Sequence, residues 1–194
     1  MSILTNWGSK PHERKMEFSC DHIIQDINGA YFRAVDINAP PDLVYKWLLQ
    51  MRVAPYSYDK LDNGGKVSPQ ILPQHISPLV RNQKIMTIFN VEEFVPEKEI
   101  TVKMDMPPEK WSVWYVPTAI TYKVIKTGKD TSRVLVKYVA HWSHTLRGIF
   151  EHYFIIFADF IMMRRQLLNF KKLAERDFRK QLTYLNTLSE HELG

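Results

Sequence analysis

The sequence predicts an α+β fold: a curved antiparallel sheet covered by one long C-terminal helix. Three observations carry that expectation. Strand-like and helix-like runs are segregated along the chain instead of alternating, which argues against an α/β arrangement. The last strand-like run, Ser132–Trp142, sets Val134, Val136, Tyr138, Ala140 and Trp142 on one face, apolar from end to end. Beyond it, Ile149, Tyr153, Ile156, Phe160, Met163, Leu167, Phe170 and Ala174 recur at steps of four and three, a helical stripe of about seven turns. A sheet with one apolar face needs a cover, and this helix is the only element large enough.

The elements follow in order. Residues 1–29 show no sustained period and are punctuated by Gly8, Pro11 and Gly29; they form an irregular arm whose Trp7, Phe18, Ile23 and Ile24 give it a face to pack. Residues 30–37, AYFRAVDI, alternate as a strand. In NAPPDLVYKWLLQM, Pro40 and Pro41 suit a first helical turn and Asp42 favours its positive end. Leu43, Val44, Trp47, Leu48 and Met51 make its buried face. Pro55 ends the helix by Ala54. Residues 52–83 are loop-rich, with a turn at Asn63-Gly64-Gly65 and Pro69, Pro73 and Pro78 barring long elements. Strands follow at Lys84–Phe94, Glu99–Met104, Trp111–Lys126 (divided near Pro117) and Ser132–Trp142, with hairpin turns at VPEKE and KTGKD. The first half of the closing helix is apolar off its stripe too, at Phe154, Ile155, Phe157, Ile161 and Met162, so it must be covered on most sides or face something apolar from outside the chain.

The chain has 194 residues, 45% of them hydrophobic and 24% charged, which is the size and composition of a single globular domain over 1–194. Cys20 is the only cysteine, so no intramolecular disulfide forms and a reducing, cytoplasmic compartment is expected. The most apolar run, IFEHYFIIFADFIMM, is interrupted by Glu151, His152 and Asp159 and is shorter than the ~20 residues a membrane span needs. The charge of +5 is concentrated in the closing helix, where Glu175 and Asp177 break the basic run; it reads as a solvated face. No basic stripe interleaved with stacking aromatics is present, which excludes nucleic acid as the expected partner.

The run VDINAPPDLVYKWLLQMRVAPYSYDKLDNGGKVSP resembles the opening motif of a branch of the SRPBCC superfamily marked by APYSYD. NWGSKPHERKMEFSCD resembles the arm before that motif, and DFIMMRRQLLNFKKLAER its closing helix. The superfamily includes START domains and polyketide cyclase-like proteins. The resemblance implies the helix-grip fold and a hydrophobic cavity for lipids, polyketides or aromatic molecules; no Gly-rich phosphate loop or zinc-finger spacing is present, and no cofactor is expected.

Within this frame, a small hydrophobic ligand is expected between sheet and helix, near Arg52, Tyr56, Tyr58, Trp114, Tyr122, Tyr138, Trp142, Phe157, Phe160 and Met163. The loop RVAPYSYDKLDNGG offers two readings. Tyr58 and Asp59 can serve as acid and base of a cyclase, dehydratase or hydrolase, with Arg52 forking a carboxylate. Alternatively Asp59 and Asp62 accept backbone N–H groups in turns, and Arg52 ties the loop down. His141 and His144 lie three apart on an extended run, so they point to opposite faces, and no metal is expected. Cys20, beside Asp21, lacks the cationic surroundings of a reactive thiolate and reads as a buried structural thiol. Phe154, Ile155 and Met162 can support a homodimer or membrane contact; otherwise the chain is monomeric.

Overall fold

A computed structural model describes residues 3–105 and 116–192. After the short helix α1 (Ile3–Asn6), the order is β1 (Gly29–Ile37), α2 (Pro41–Leu48), α3 (Asp59–Asp62), β2 (Lys84–Ile85), β3 (Phe89–Val95), β4 (Glu99–Met104), β5 (Thr118–Lys126), β6 (Ser132–Ala140) and α4 (Leu146–Glu192). The six strands form one antiparallel sheet in the order β1-β6-β5-β4-β3-β2. A bulge between Val91 and Glu93 bends β3 and adds to the sheet's curvature. The helix α4, 47 residues and about 70 Å long, lies across the concave face. This is the helix-grip arrangement.

Alternation along the strands divides the interior. Tyr31, Val35 and Ile37 of β1, Ile120, Tyr122 and Val124 of β5, and Val134, Val136, Tyr138 and Ala140 of β6 join Ile156, Met163, Leu167 and Phe170 of α4 in the main core. Ala34, Ala119, Leu135 and Val139 point the other way, to a smaller cluster with Phe18 and Cys20 of the arm. The arm is therefore a cover for the second face, pinned by polar contacts. Arg133 pairs with Glu13 at 2.5 Å, Lys137 with Asp21 at 2.5 Å, and Ser19 Oγ donates to Glu99 at 2.6 Å. The Cys20 N–H donates to Thr121 Oγ1, and burial pushes its thiol up to about 11, which makes it inert.

The structure departs from the sequence reading at three places. Lys84–Phe94 is two strands, because Met86 and Thr87 turn through positive φ and release the ladder. The helix after Pro40 ends at Leu48 and tightens into a 3₁₀ turn, Leu49–Arg52, before Pro55. Asp59–Asp62 forms one helical turn inside the loop. The strand expected over Trp111–Lys126 is seen from Thr118; its start lies outside the described residues. No helix among the described residues is long and apolar enough to cross a membrane.

Candidate functional site

Between the concave face and the first half of α4 lies a cavity of about 270 Å³. The sheet contributes Phe89, Met104, Ile120, Tyr122 and Tyr138, and α4 contributes Ile155, Ala158, Asp159, Met163 and Gln166. The loop RVAPYSYDKLDNGG closes one end with Pro55, Ser57 and Asp62, and the turn after β2 adds Met86 and Ile88. The rim residues Phe154, Ile155, Ala158 and Met162 are exposed or half-buried, so the cavity opens on that side. Its walls are mostly apolar with a few polar atoms, which is the composition of a ligand pocket.

The polar atoms come from two places. Tyr122 donates to Gln166 Oε1 at 2.8 Å, and Gln166 Nε2 donates to the Pro55 carbonyl at 2.6 Å, so helix, sheet and loop are tied at the cavity's edge. Asp159 is held from behind by Arg33, whose Nη2 donates to Oδ2 at 3.0 Å. Arg33 is a buried guanidinium on an apolar strand face; its Nη1 donates to the Phe32 carbonyl and its Nε has no partner. Burial pushes the Asp159 carboxyl up to about 6, against the pull of Arg33. Burial also raises the Tyr122 and Tyr138 phenols well above their ordinary range, so both keep their protons.

Of the residues singled out from sequence, Tyr122, Tyr138 and Met163 line the cavity. Trp114 lies outside the described residues. The others are placed elsewhere. Tyr56 takes positive φ, with Asn169 Nδ2 donating to its carbonyl at 2.8 Å, and this turns its ring onto Phe170 and Trp47 in the core. Arg52 donates to the Ser77 carbonyl at 2.8 Å and ties down the loop. Tyr58 is largely exposed beneath the Arg165 guanidinium. Asp59 accepts the Ser68 N–H at 2.9 Å and its hydroxyl at 2.5 Å; it caps a turn instead of facing the cavity. An acid–base pair of Tyr58 and Asp59 in this cavity is therefore corrected: the loop's helical turn spends Asp59 on its own backbone. Phe157 sits on the outer surface of α4, 53% exposed, and Phe160 lies beside Arg33 instead of in the cavity.

Trp142 is buried beyond the end of β6, where it stacks on His152 at 4.6 Å. Burial lowers the His152 pKa and raises that of Tyr31 to about 12, so Tyr31 donates to His152 Nε2 at 2.7 Å. His141 donates its Nδ1–H to the Asp26 carbonyl of the arm, 2.7 Å away, a contact that fixes its tautomer. Among the described residues no three His, Cys, Asp or Glu gather for a metal.

Sequence reasoning missed Asp159 and Arg33 as a site. The signal was present: each interrupts a face that is otherwise apolar, one on the inward side of β1 and one in the apolar half of α4. A charge on such a face requires a partner.

No family model matches the sequence, and no curated protein matches it. Solved structures with a similar chain path include protein MLL2253 from Mesorhizobium loti, at 10% identity and TM-score 0.47 over 75% of this chain and 97% of that one. The di-domain ARO/CYC BexL from the BE-7585A biosynthetic pathway is similar at 15% identity and TM-score 0.47, over 75% of this chain and 50% of that one. The Aha1 dimer from Colwellia psychrerythraea follows at 19% identity and TM-score 0.39, over 75% and 96%. At this similarity they carry no information on chemistry.

Proposed function

We propose that this protein binds a small hydrophobic molecule in the cavity under α4, as a carrier or sensor, and that it belongs to the SRPBCC branch its opening motif resembles. The observation that supports this most is the cavity itself, about 270 Å³ of mostly apolar space ringed by Tyr122, Tyr138 and Met163. An apolar cavity of ~150 Å³ holds benzene. By proportion this one encloses about ten non-hydrogen atoms, a single ring with a short arm; a longer lipid or polyketide must project through the rim. The test is a titration with ethylbenzene, followed by protein chemical shifts and thermal melting. Shifts confined to cavity residues, with a raised melting temperature, support the reading. No shift at saturating ethylbenzene sinks it.

A second reading, catalysis in the same cavity, is favoured by one observation: a carboxyl pushed up to about 6 faces the enclosed space. Asp159 would then be the acid–base group of a cyclase, dehydratase or hydrolase, with the protonated phenols of Tyr122 and Tyr138 beside it. Turnover of a bound small molecule that is abolished in Asp159→Asn would establish it.

A further inference from the structure

We infer that the cavity is built for a ligand whose polar end donates hydrogen bonds, a protonated amine on a small apolar body, and that it rejects carboxylates. This rests on the proposal that the cavity binds a small hydrophobic molecule, and it specifies the chemistry of that molecule.

The argument is a count of donors and acceptors facing the space. The donors are engaged within the protein. Ser57 Oγ donates to Asp62 Oδ2. Tyr122 donates to Gln166 Oε1, and Gln166 Nε2 donates to the Pro55 carbonyl and towards Met86 Sδ at 3.2 Å. The Thr118 hydroxyl donates to the Val116 carbonyl at 2.8 Å, so the Tyr138 hydrogen is directed to Thr118 Oγ1, 3.4 Å away; it is the one donor held loosely. What remains accepts. Asp62 Oδ1 is buried with no partner. Asp159 Oδ1 has no partner among the described residues, because Arg33 takes Oδ2. The oxygens of Tyr122 and Tyr138 retain lone pairs.

Charge points the same way. Two carboxylates, Asp62 and Asp159, line the cavity, and among the described residues no lysine, arginine or histidine does. Arg33 offsets Asp159 alone, and from behind. A ligand carboxylate would meet acceptors and like charge. An ammonium would satisfy the orphaned Asp62 Oδ1, pair with Asp159 Oδ1 and complement the excess negative charge, while Phe89, Phe154 and the tyrosine rings enclose its apolar part.

The experiment compares four molecules with one apolar body: ethylbenzene, phenethyl alcohol, phenethylamine and hydrocinnamate. Each is titrated into the wild-type chain, Asp159→Asn and Asp62→Asn near neutral pH. The expected order is amine tightest, alcohol about tenfold weaker, and hydrocinnamate weaker than ethylbenzene. In either variant the amine's affinity, taken relative to that of ethylbenzene on the same variant, falls about tenfold, to the level of the alcohol. Ethylbenzene binding reports that the cavity is intact, and Asp62→Asn, which leaves the Arg33–Asp159 pair in place, guards against misfolding of the other variant. If ethylbenzene binds but phenethylamine binds no tighter than hydrocinnamate, or if both variants keep the amine's advantage, the inference is overturned and the binding role stands. If ethylbenzene itself fails to bind, the binding role falls and the inference with it.

Discussion

Arg33 and Arg133 are both almost fully buried, on adjacent strands of one sheet, in opposite surroundings. Arg133 points to the arm. Its Nε and Nη2 donate to Glu13, its Nη1 to Asp36 at 2.8 Å, and its Nη2 also to the Gly8 carbonyl at 2.6 Å. These carboxylates raise its pKa. Arg33 points to α4, where it has one carboxylate, one carbonyl and an unpartnered Nε, and burial lowers its pKa. One face of the sheet completes its polar groups within the chain. The other leaves them partly unmet beside a gap. Burial of a charge alone is therefore a poor marker of a site; incomplete pairing next to open space is a better one.

The contrast is sharpest under mutation. Arg133→Leu should remove the arm's anchor and leave the Glu13 carboxylate buried without its cation, held by the Lys10 N–H, costing about 3–5 kcal/mol in denaturant unfolding. Limited proteolysis should then cut within residues 1–28 first. Equal stability, or an arm that stays resistant, would remove the distinction between the two faces. Arg33→Met alone should cost about 3 kcal/mol, because Asp159 loses the one cation paired with it among the described residues, whereas Arg33→Met with Asp159→Leu should be close to neutral. A double-mutant cycle on melting midpoints measures this; additive losses would mean the two residues do not act as a pair.

Solution pH probes the same pair without mutation. The folded pKa of Asp159 is raised from 3.8 to about 6, so the native state binds its proton more tightly than the unfolded chain does. This contribution to stability is complete below the unfolded value and is lost as pH rises through about 6, by on the order of 2–3 kcal/mol. Comparing wild type with the Arg33→Met, Asp159→Leu double variant from pH 3 to pH 8 isolates it, and identical profiles would refute the shift. The smallest stability effect is expected from Ala158→Leu. Its added methyls enter the cavity rim, so stability should change by less than about 1 kcal/mol while ethylbenzene affinity falls at least about tenfold. A large loss of stability would mean the space under α4 is already filled.

Much of the fold was legible because burial imposes periodicity. The two-residue repeat of Val134, Val136, Tyr138 and Ala140 and the stripe from Ile149 to Ala174 specify which side of each element faces inward. The site was legible only in part. Tyr122, Tyr138 and Met163 lie on those inward faces and were reachable from the pattern. Tyr56 was not, because its orientation depends on a positive-φ turn within the loop, whereas the reading of Asp59 as a turn acceptor is the one the structure shows. Phe157 was not, because one side of α4 extends past the edge of the sheet's cover and is left exposed.

Alternation and helical spacing by themselves determined that a sheet with a continuous apolar face meets a long apolar helix, since local periodicity dictates which side chains leave water. Tertiary structure alone decided that Arg33 and Asp159, 126 positions apart, would meet, and that their meeting would border a cavity. Pairing and empty space depend on how curved surfaces fit together, and no local repeat in the chain encodes that.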